Sequence, residues 1–165
     1  MNRSSCFSFM LSMVVLSVPA LAKAAQTQGC PIAKSVYRDG DGKGFQLVFG
    51  PPPPNTPYHA TAVINHPQQR QLYRFLVTQS SGYGSIRLLD QVNKNAKQGK
   101  SWWITFFDQN LKSATPLFLG QETESPKYAV IAELGSYDYY QRRGRITQNT
   151  PPFLQDVLWI FDHCQ

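Results

Sequence analysis

The sequence predicts an all-β, single-domain fold: an antiparallel β-sandwich or barrel of about eight strands with at most one or two short helical turns. Apolar residues recur mostly with a period of two, in short runs rich in β-branched and aromatic side chains. Turn formers separate these runs, and the chain contains 12 Pro and 11 Gly. Amphipathic helical patterns are missing between the runs, which argues against alternating strands and helices.

Seven runs have the composition of strands. They span residues 45–49, 60–64, 72–78, 85–89, 102–107, 128–133 and 157–161. A hairpin is expected between Tyr37 and Phe45, because the glycines between them readily adopt positive φ. In the pair Trp102–Trp103, alternation along a strand places one indole in the core and leaves the other available for exposure.

The remaining elements follow from local signals. Residues 136–140 are expected as a strand with Tyr137 and Tyr139 on one face and Tyr140 on the other. A helical turn is expected over residues 150–156, with Thr150 as its cap and a proline at the first helical position. Residues 93–97 have no clear preference.

Residues 1–24 have the organisation of a secretory signal peptide. Arg3 precedes the apolar stretch 7–18, and Ala22-Lys23-Ala24 forms a small-x-small cleavage pattern. The apolar stretch is shorter than the ~18 residues of a membrane-spanning helix. We therefore expect a periplasmic or secreted protein, cleaved near Ala24, with residues 25–165 as one β-rich domain without a transmembrane segment.

Cysteine content agrees with export. Cys6 would leave with the signal peptide, so the mature chain would contain only Cys30 and Cys164. Two cysteines in an oxidising compartment predict one disulfide, which would join the two termini. It would also place residues 32–37 beside the strand 157–161, so that neither forms an exposed sheet edge.

No metal or cofactor is expected. Residues 39–44 resemble the start of a calcium loop, but Lys43 occupies a position that requires an oxygen ligand. The histidines His59, His66 and His163 lack metal-binding spacing, and neither glycine fingerprint of nucleotide binding occurs.

Catalytic carboxylates have limited support. Glu133 stands in an otherwise apolar run and is the acid expected to be buried, followed by Asp108 at the end of the strand 102–107. Most other acids, including Asp39 and Asp138, stand in turn contexts. A small cell-envelope hydrolase that uses Glu133 is therefore the alternative hypothesis.

The leading hypothesis is a non-catalytic exported binding or protein-interaction domain. An aromatic segment precedes a basic turn, and its candidate ligand-binding residues are Tyr137, Tyr139, Arg142, Arg143 and Arg145. Such a surface suits an anionic envelope glycan or an acidic protein. Loss of Arg3 and Lys23 would lower the net charge from +6 to +4, too mild for a nucleic-acid partner. A structural or envelope-stress protein without a small ligand is the third hypothesis.

Overall fold

The computed structural model describes residues 30–91, 99–116 and 125–165. Eight antiparallel strands form a closed barrel in which each strand pairs with the next along the chain and the last pairs with the first. The strands are β1 (Ser35–Asp39), β2 (Gln46–Gly50), β3 (Ala60–His66), β4 (Gln69–Gln79), β5 (Ile86–Asp90), β6 (Ser101–Phe107), β7 (Tyr128–Ile131) and β8 (Leu158–Cys164). The predicted all-β fold is confirmed, as a barrel.

Two short helical elements accompany the strands in the described parts of the chain. A 3-10 turn, Ile32–Lys34, precedes β1, and helix α1 (Leu134–Arg142) lies between β7 and β8. No helix within the described ranges is long and apolar enough to cross a membrane.

The up-and-down order of the strands gives the barrel two distinct ends. The β1–β2, β3–β4 and β5–β6 connections share one end with α1, which we call the helix end. The β2–β3, β4–β5 and β6–β7 connections share the other end with Cys30 and Cys164, which we call the disulfide end. Residues of consecutive connections therefore alternate between the two ends.

Strand alternation fills the interior with large side chains. Trp102, Ile104 and Phe106 of β6 point inward, whereas Trp103 points outward and is 52% exposed. The predicted division of the tryptophan pair is confirmed. Residues from all parts of the barrel complete the core, including Tyr37, Phe45, Leu47, Phe49, Ile64, Phe75, Leu88, Ile131 and Trp159.

The glycine-rich segment after β1 is a hairpin turn, as predicted. Gly42 and Gly44 have φ of 71° and 93°. The Lys43 backbone N–H donates to Asp39 Oδ2 at 2.6 Å, and the Lys43 ammonium lies 3.2 Å from an Asp41 carboxylate oxygen. The lysine thus neutralises a carboxylate that the calcium interpretation would have assigned to the ion.

The seam of the barrel carries the predicted disulfide. Cys30 and Cys164 are bonded, with their Cα atoms 6.0 Å apart and a sequence separation of 134. Beside the bond, β1 and β8 pair antiparallel from Ser35↔Cys164 to Asp39↔Trp159, with one bulge between Val36 and Tyr37. The expected proximity of the first and last strands is confirmed.

The predicted strand over residues 136–140 is wrong, because this segment lies within α1. The buried face of the helix consists of Leu134, Gly135 and Asp138, with Tyr137 packed against the core. An aspartate and a glycine on the buried face remove the apolar repeat by which a helix is normally recognised. Tyr137, Tyr139 and Tyr140 instead gave the segment the aromatic composition that is typical of a strand.

The predicted helical turn over residues 150–156 is also wrong, since this segment is irregular. Pro151 is followed by a second proline, which disfavours the helical conformation at Pro151. The carbonyls of Pro151 and Pro152 accept hydrogen bonds from Arg142, and the N–H of Leu154 donates to Asp138. Residues 93–97 lie outside the described residues.

Replacing both bridging cysteines by serine should lower the stability without dissolving the barrel. The bond restricts the unfolded chain, and a loop of this length contributes on the order of 5 kcal/mol in the chain-entropy model. We expect C30S/C164S to unfold at a lower denaturant concentration than the wild type, with an unchanged far-ultraviolet dichroism spectrum before the transition. Equal midpoints, or loss of the β spectrum, would contradict this.

Gly135 should tolerate no side chain. A Cβ at this position would overlap the backbone nitrogen of Asp156 and lie 2.5 Å from the carbonyl carbon of Gln155. We expect G135A to destabilise the protein by roughly 1–3 kcal/mol, although alanine favours helices. Gly82→Ala is the control, because its Cβ would meet nothing within 4 Å. Thermal unfolding of both variants checks the prediction, and an equal effect would refute it.

Candidate functional site

The structure separates the predicted ligand-binding residues into different environments. Tyr139, Arg143 and Arg145 are exposed, Tyr137 is half-buried, and the Arg142 side chain is only 14% exposed. The Arg143 guanidinium lies 5.1 Å from the centre of the Tyr140 ring. These residues therefore do not form the single aromatic and basic surface expected from a strand and turn.

Arg142 is engaged in an ion pair with a buried partner. Its Nε lies 2.6 Å from Asp138 Oδ1 and its Nη2 lies 2.7 Å from Asp138 Oδ2, a two-pronged contact within one helical turn. Asp138 is fully buried, whereas Glu133 is exposed at the start of the helix, with φ of 63°. The expectation that Glu133 would be the buried acid is wrong, since the buried acids of the described chain are Asp39 and Asp138, at 3% and 0% exposure.

Further hydrogen bonds surround the Asp138 carboxylate. The Tyr73 hydroxyl donates to Oδ1 at 2.5 Å, and the Leu154 backbone N–H donates to Oδ2 at 2.8 Å. Burial, reinforced by the adjacent Asp138 carboxylate, raises the pKa of Tyr73, so its hydroxyl keeps its proton. The network fixes α1 and the segment after it over the helix end, which leaves Arg142 unavailable to a ligand.

Tyr137 belongs mainly to the aromatic packing under α1. Its ring centre lies 4.9 Å from that of Trp102 and 6.1 Å from that of Tyr73. The Lys100 ammonium lies 4.3 Å from the Tyr137 ring centre, in cation–π contact. Tyr139 packs its ring against Phe153 at 5.2 Å.

The two acids considered as candidate catalytic carboxylates, Glu133 and Asp108, lie at opposite ends of the barrel. Asp108 follows β6 at the disulfide end, and Glu133 follows β7 at the helix end. A strand as long as β6 separates them by roughly 20 Å, too far for both to act on one glycosidic bond. Asp108 instead accepts the backbone N–H groups of Asn110 and Lys112 at 2.8 and 2.9 Å.

Metal-ligating side chains are dispersed in the described part of the chain. No group of three His, Cys, Asp or Glu residues there is placed to hold a metal ion. His66 has both ring nitrogens engaged, one with the Lys43 carbonyl at 3.0 Å and one with the Gln68 N–H at 3.1 Å. Because a carbonyl only accepts and an N–H only donates, the imidazole proton lies on Nε2. His66 thus ties the β3–β4 turn to the β1–β2 turn.

A depression of about 880 Å³ lies beside these two turns, on the outside of the barrel near the helix end. We call it the Arg38–Arg70 groove. The pairing Arg38↔Gln46 and Gln46↔Asn65 sets three of its side chains in one row across β1, β2 and β3. Its polar lining includes Arg38, Asp39, Gln46, Asn65, His66, Arg70, Gln71 and Asp162.

In this groove the acidic side chains have hydrogen-bond partners, whereas the two arginine side chains have none among the described residues. Asp39 accepts the Lys43 N–H, and burial together with the Asp41 carboxyl raises the pKa of Asp39. Asp162 lies 2.8 Å from His163 Nδ1. Arg38 and Arg70 are exposed, and neither side chain has a hydrogen-bond or ion-pair partner among the described residues. The groove therefore offers two guanidinium groups to a ligand.

Neither arginine was identified from the sequence. Alternation places Arg38 on the outer face, but the approach of residues from β1 and β4 depends on the pairing register of three hairpins. Local spacing contains no signal for that proximity.

No family model, curated protein or solved structure matches this chain.

Two adjacent arginines allow a direct test of the Asp138 network. Arg142→Ala should cost about 3–5 kcal/mol of folding stability, because it leaves the Asp138 carboxylate buried without its cation. Arg143→Ala should change the stability by less than about 0.5 kcal/mol, because that side chain is exposed. Urea denaturation of both variants measures the difference. Similar midpoints for the two would show that the network contributes little.

Proposed function

We propose that this protein is a non-catalytic, exported binding domain and that it holds an acidic glycan in the Arg38–Arg70 groove. The observation that carries the proposal is the pair of uncompensated guanidinium groups on one depression. Guanidinium forms paired hydrogen bonds with carboxylate, sulfate or phosphate groups. An anionic ligand would give each arginine the partner that the described chain does not supply.

The spacing of the arginines favours an extended ligand. Arg38 is on β1 and Arg70 on β4, so three strand spacings, about 14 Å, separate their backbones. A single small anion would reach one arginine more easily than both. A polymer that carries a charge on successive units would contact both.

The uncharged lining favours a hydroxyl-rich ligand over an acidic protein surface. Gln46, Asn65 and Gln71 contribute carboxamides, which both donate and accept hydrogen bonds. The side-chain oxygen Oδ1 of Asn65 already accepts the Gln71 backbone N–H at 2.9 Å, which orients the side-chain NH₂ group of Asn65. Sugar hydroxyls also donate and accept, so such groups suit a glycan.

The cell envelope is the proposed location. Residues 1–24 have the pattern of a signal peptide, and the Cys30–Cys164 bond belongs to the kind that persists in oxidising compartments. A periplasmic or secreted domain would meet acidic polysaccharides directly. The proposed location in the cell envelope is therefore consistent with an acidic glycan as the ligand.

Binding to polygalacturonate, a polymer of uronic acid, tests this proposal. The wild-type protein should be retarded in affinity electrophoresis, and the retardation should weaken as salt is added. The double variant R38A/R70A should bind about tenfold more weakly, since two exposed ionic contacts contribute up to about 0.7 kcal/mol each.

Arg74→Ala provides the matched control. Arg74 is an exposed arginine on β4 that does not line the groove, so its loss lowers the net charge without touching the site. Because R74A removes one charge and the pair removes two, a loss of binding free energy in R74A of half or more of that in R38A/R70A would mean diffuse attraction and would overturn the site. Absence of wild-type retardation, or binding only to an acidic protein, would overturn the ligand class.

A further inference from the structure

A second surface differs from the Arg38–Arg70 groove in both place and chemistry. Trp103 projects from the outer face of β6 and is 52% exposed, whereas Trp102 and Trp159 are 6% and 1% exposed. Tyr83, on the β4–β5 connection, is 96% exposed. Both aromatic residues line one depression of about 420 Å³. Large exposed aromatic side chains on one concave surface are typical of binding sites.

The indole of Trp103 is held in place by its neighbour across the sheet. Arg87 of β5 is directly opposite Trp103 in the register, and its guanidinium lies 5.0 Å from the indole centre. Arg87 in turn donates to the Ser101 hydroxyl at 2.5 Å. Arg87 therefore lies over one face of the ring, and the Trp103 side chain still remains 52% exposed.

The walls of the depression are tied together by one side chain. The Gln79 amide donates to the Gly84 carbonyl at 2.9 Å and to the Pro116 carbonyl at 2.6 Å. Gly84, the residue after Tyr83, and Pro116 both line the depression, so the Gln79 side chain links two separate segments of the lining. The Ala114 N–H also donates to the Phe106 carbonyl at 2.9 Å. The site thus exists before any ligand arrives.

The described lining carries hydroxyl groups and no charged side chain. Among its described residues, the polar side chains are Tyr83, Ser85, Thr105, Ser113 and Thr115. The Arg87 guanidinium behind Trp103 is already engaged with the indole and with the Ser101 hydroxyl, so an anion would find no cation among the described lining residues. A basic peptide would find no carboxylate there. A neutral molecule with flat C–H faces and many hydroxyls fits both the aromatic and the polar parts.

We propose that this depression binds a neutral pyranose oligosaccharide. The C–H face of one sugar ring stacks on Trp103, and Tyr83 contacts an adjacent unit. The serine and threonine hydroxyls exchange hydrogen bonds with the sugar hydroxyls. The site is independent of the acidic-glycan groove and holds whether or not that groove functions.

Tryptophan fluorescence gives a selective readout. Iodide quenches exposed indoles, and Trp103 is the exposed one of the three tryptophans. Cellotriose or chitotriose should protect the emission from iodide and shift it to shorter wavelength. Protection by neither sugar at millimolar concentration would overturn the proposal.

Calorimetric titration with the protective sugar identifies the residues. Trp103→Ala and Tyr83→Ala should each weaken binding about tenfold. Tyr83 stands in an exposed turn, so Y83A tests the site even if W103A folds poorly. Tyr139→Ala removes an exposed aromatic residue of α1 and should bind like the wild type, as should R38A/R70A. Wild-type affinity in Y83A and folded W103A, or an equal loss in Y139A, would refute the assignment.

Discussion

The pairing of β8 with β1 is the constraint on which the remaining structure depends. Seven of the eight strand pairs join consecutive strands, and only this pair closes the sheet. Without it, β1 and β8 would each present unpaired backbone groups along a full edge. Closure also completes the enclosure of the aromatic interior around Tyr37 and Trp159, which lie on these two strands.

A closed barrel still has two open ends, and different parts of the chain stabilise each of them. At the disulfide end, the Cys30–Cys164 bond holds the chain beside the seam. At the helix end, Leu134 packs on the core while the Asp138–Arg142 pair fixes the helix to the segment that follows it. The buried pair is hydrogen-bonded on every side, the condition under which buried charge is tolerated.

The sequence predicted those features that depend on local pattern and failed on those that depend on distant partners. Period-two alternation identified the strands, the inward Trp102 and the outward Trp103, because burial acts on one strand at a time. Two cysteines permitted one bond only. The helix escaped detection because Asp138 is buried through bonds to Tyr73 and Leu154, which local composition does not encode. For the same reason, Arg142 resembled a ligand-binding residue.

Candidate sites were predicted less well than the fold, because a site depends on which residues the pairing of the strands places side by side. Arg38, Gln46 and Asn65 form a row only after two hairpins have aligned. Glu133 and Asp108 both follow strands, yet consecutive strands run in opposite directions and carry them to opposite ends. Outward alternation does expose Trp103, so the aromatic half of the second surface is visible in the sequence.

The meander order also has a kinetic consequence. Every pairing except the seam joins strands that are consecutive in the chain, so each closes a comparatively short loop. The seam requires the two ends of the domain to meet, which makes it the one step with a large entropic penalty in a reduced chain. Once the cysteines are joined, the ends remain close even when the strands separate. The disulfide makes the chain from Cys30 to Cys164 a covalent ring. In that ring β1 and β8 are connected neighbours, as consecutive strands are.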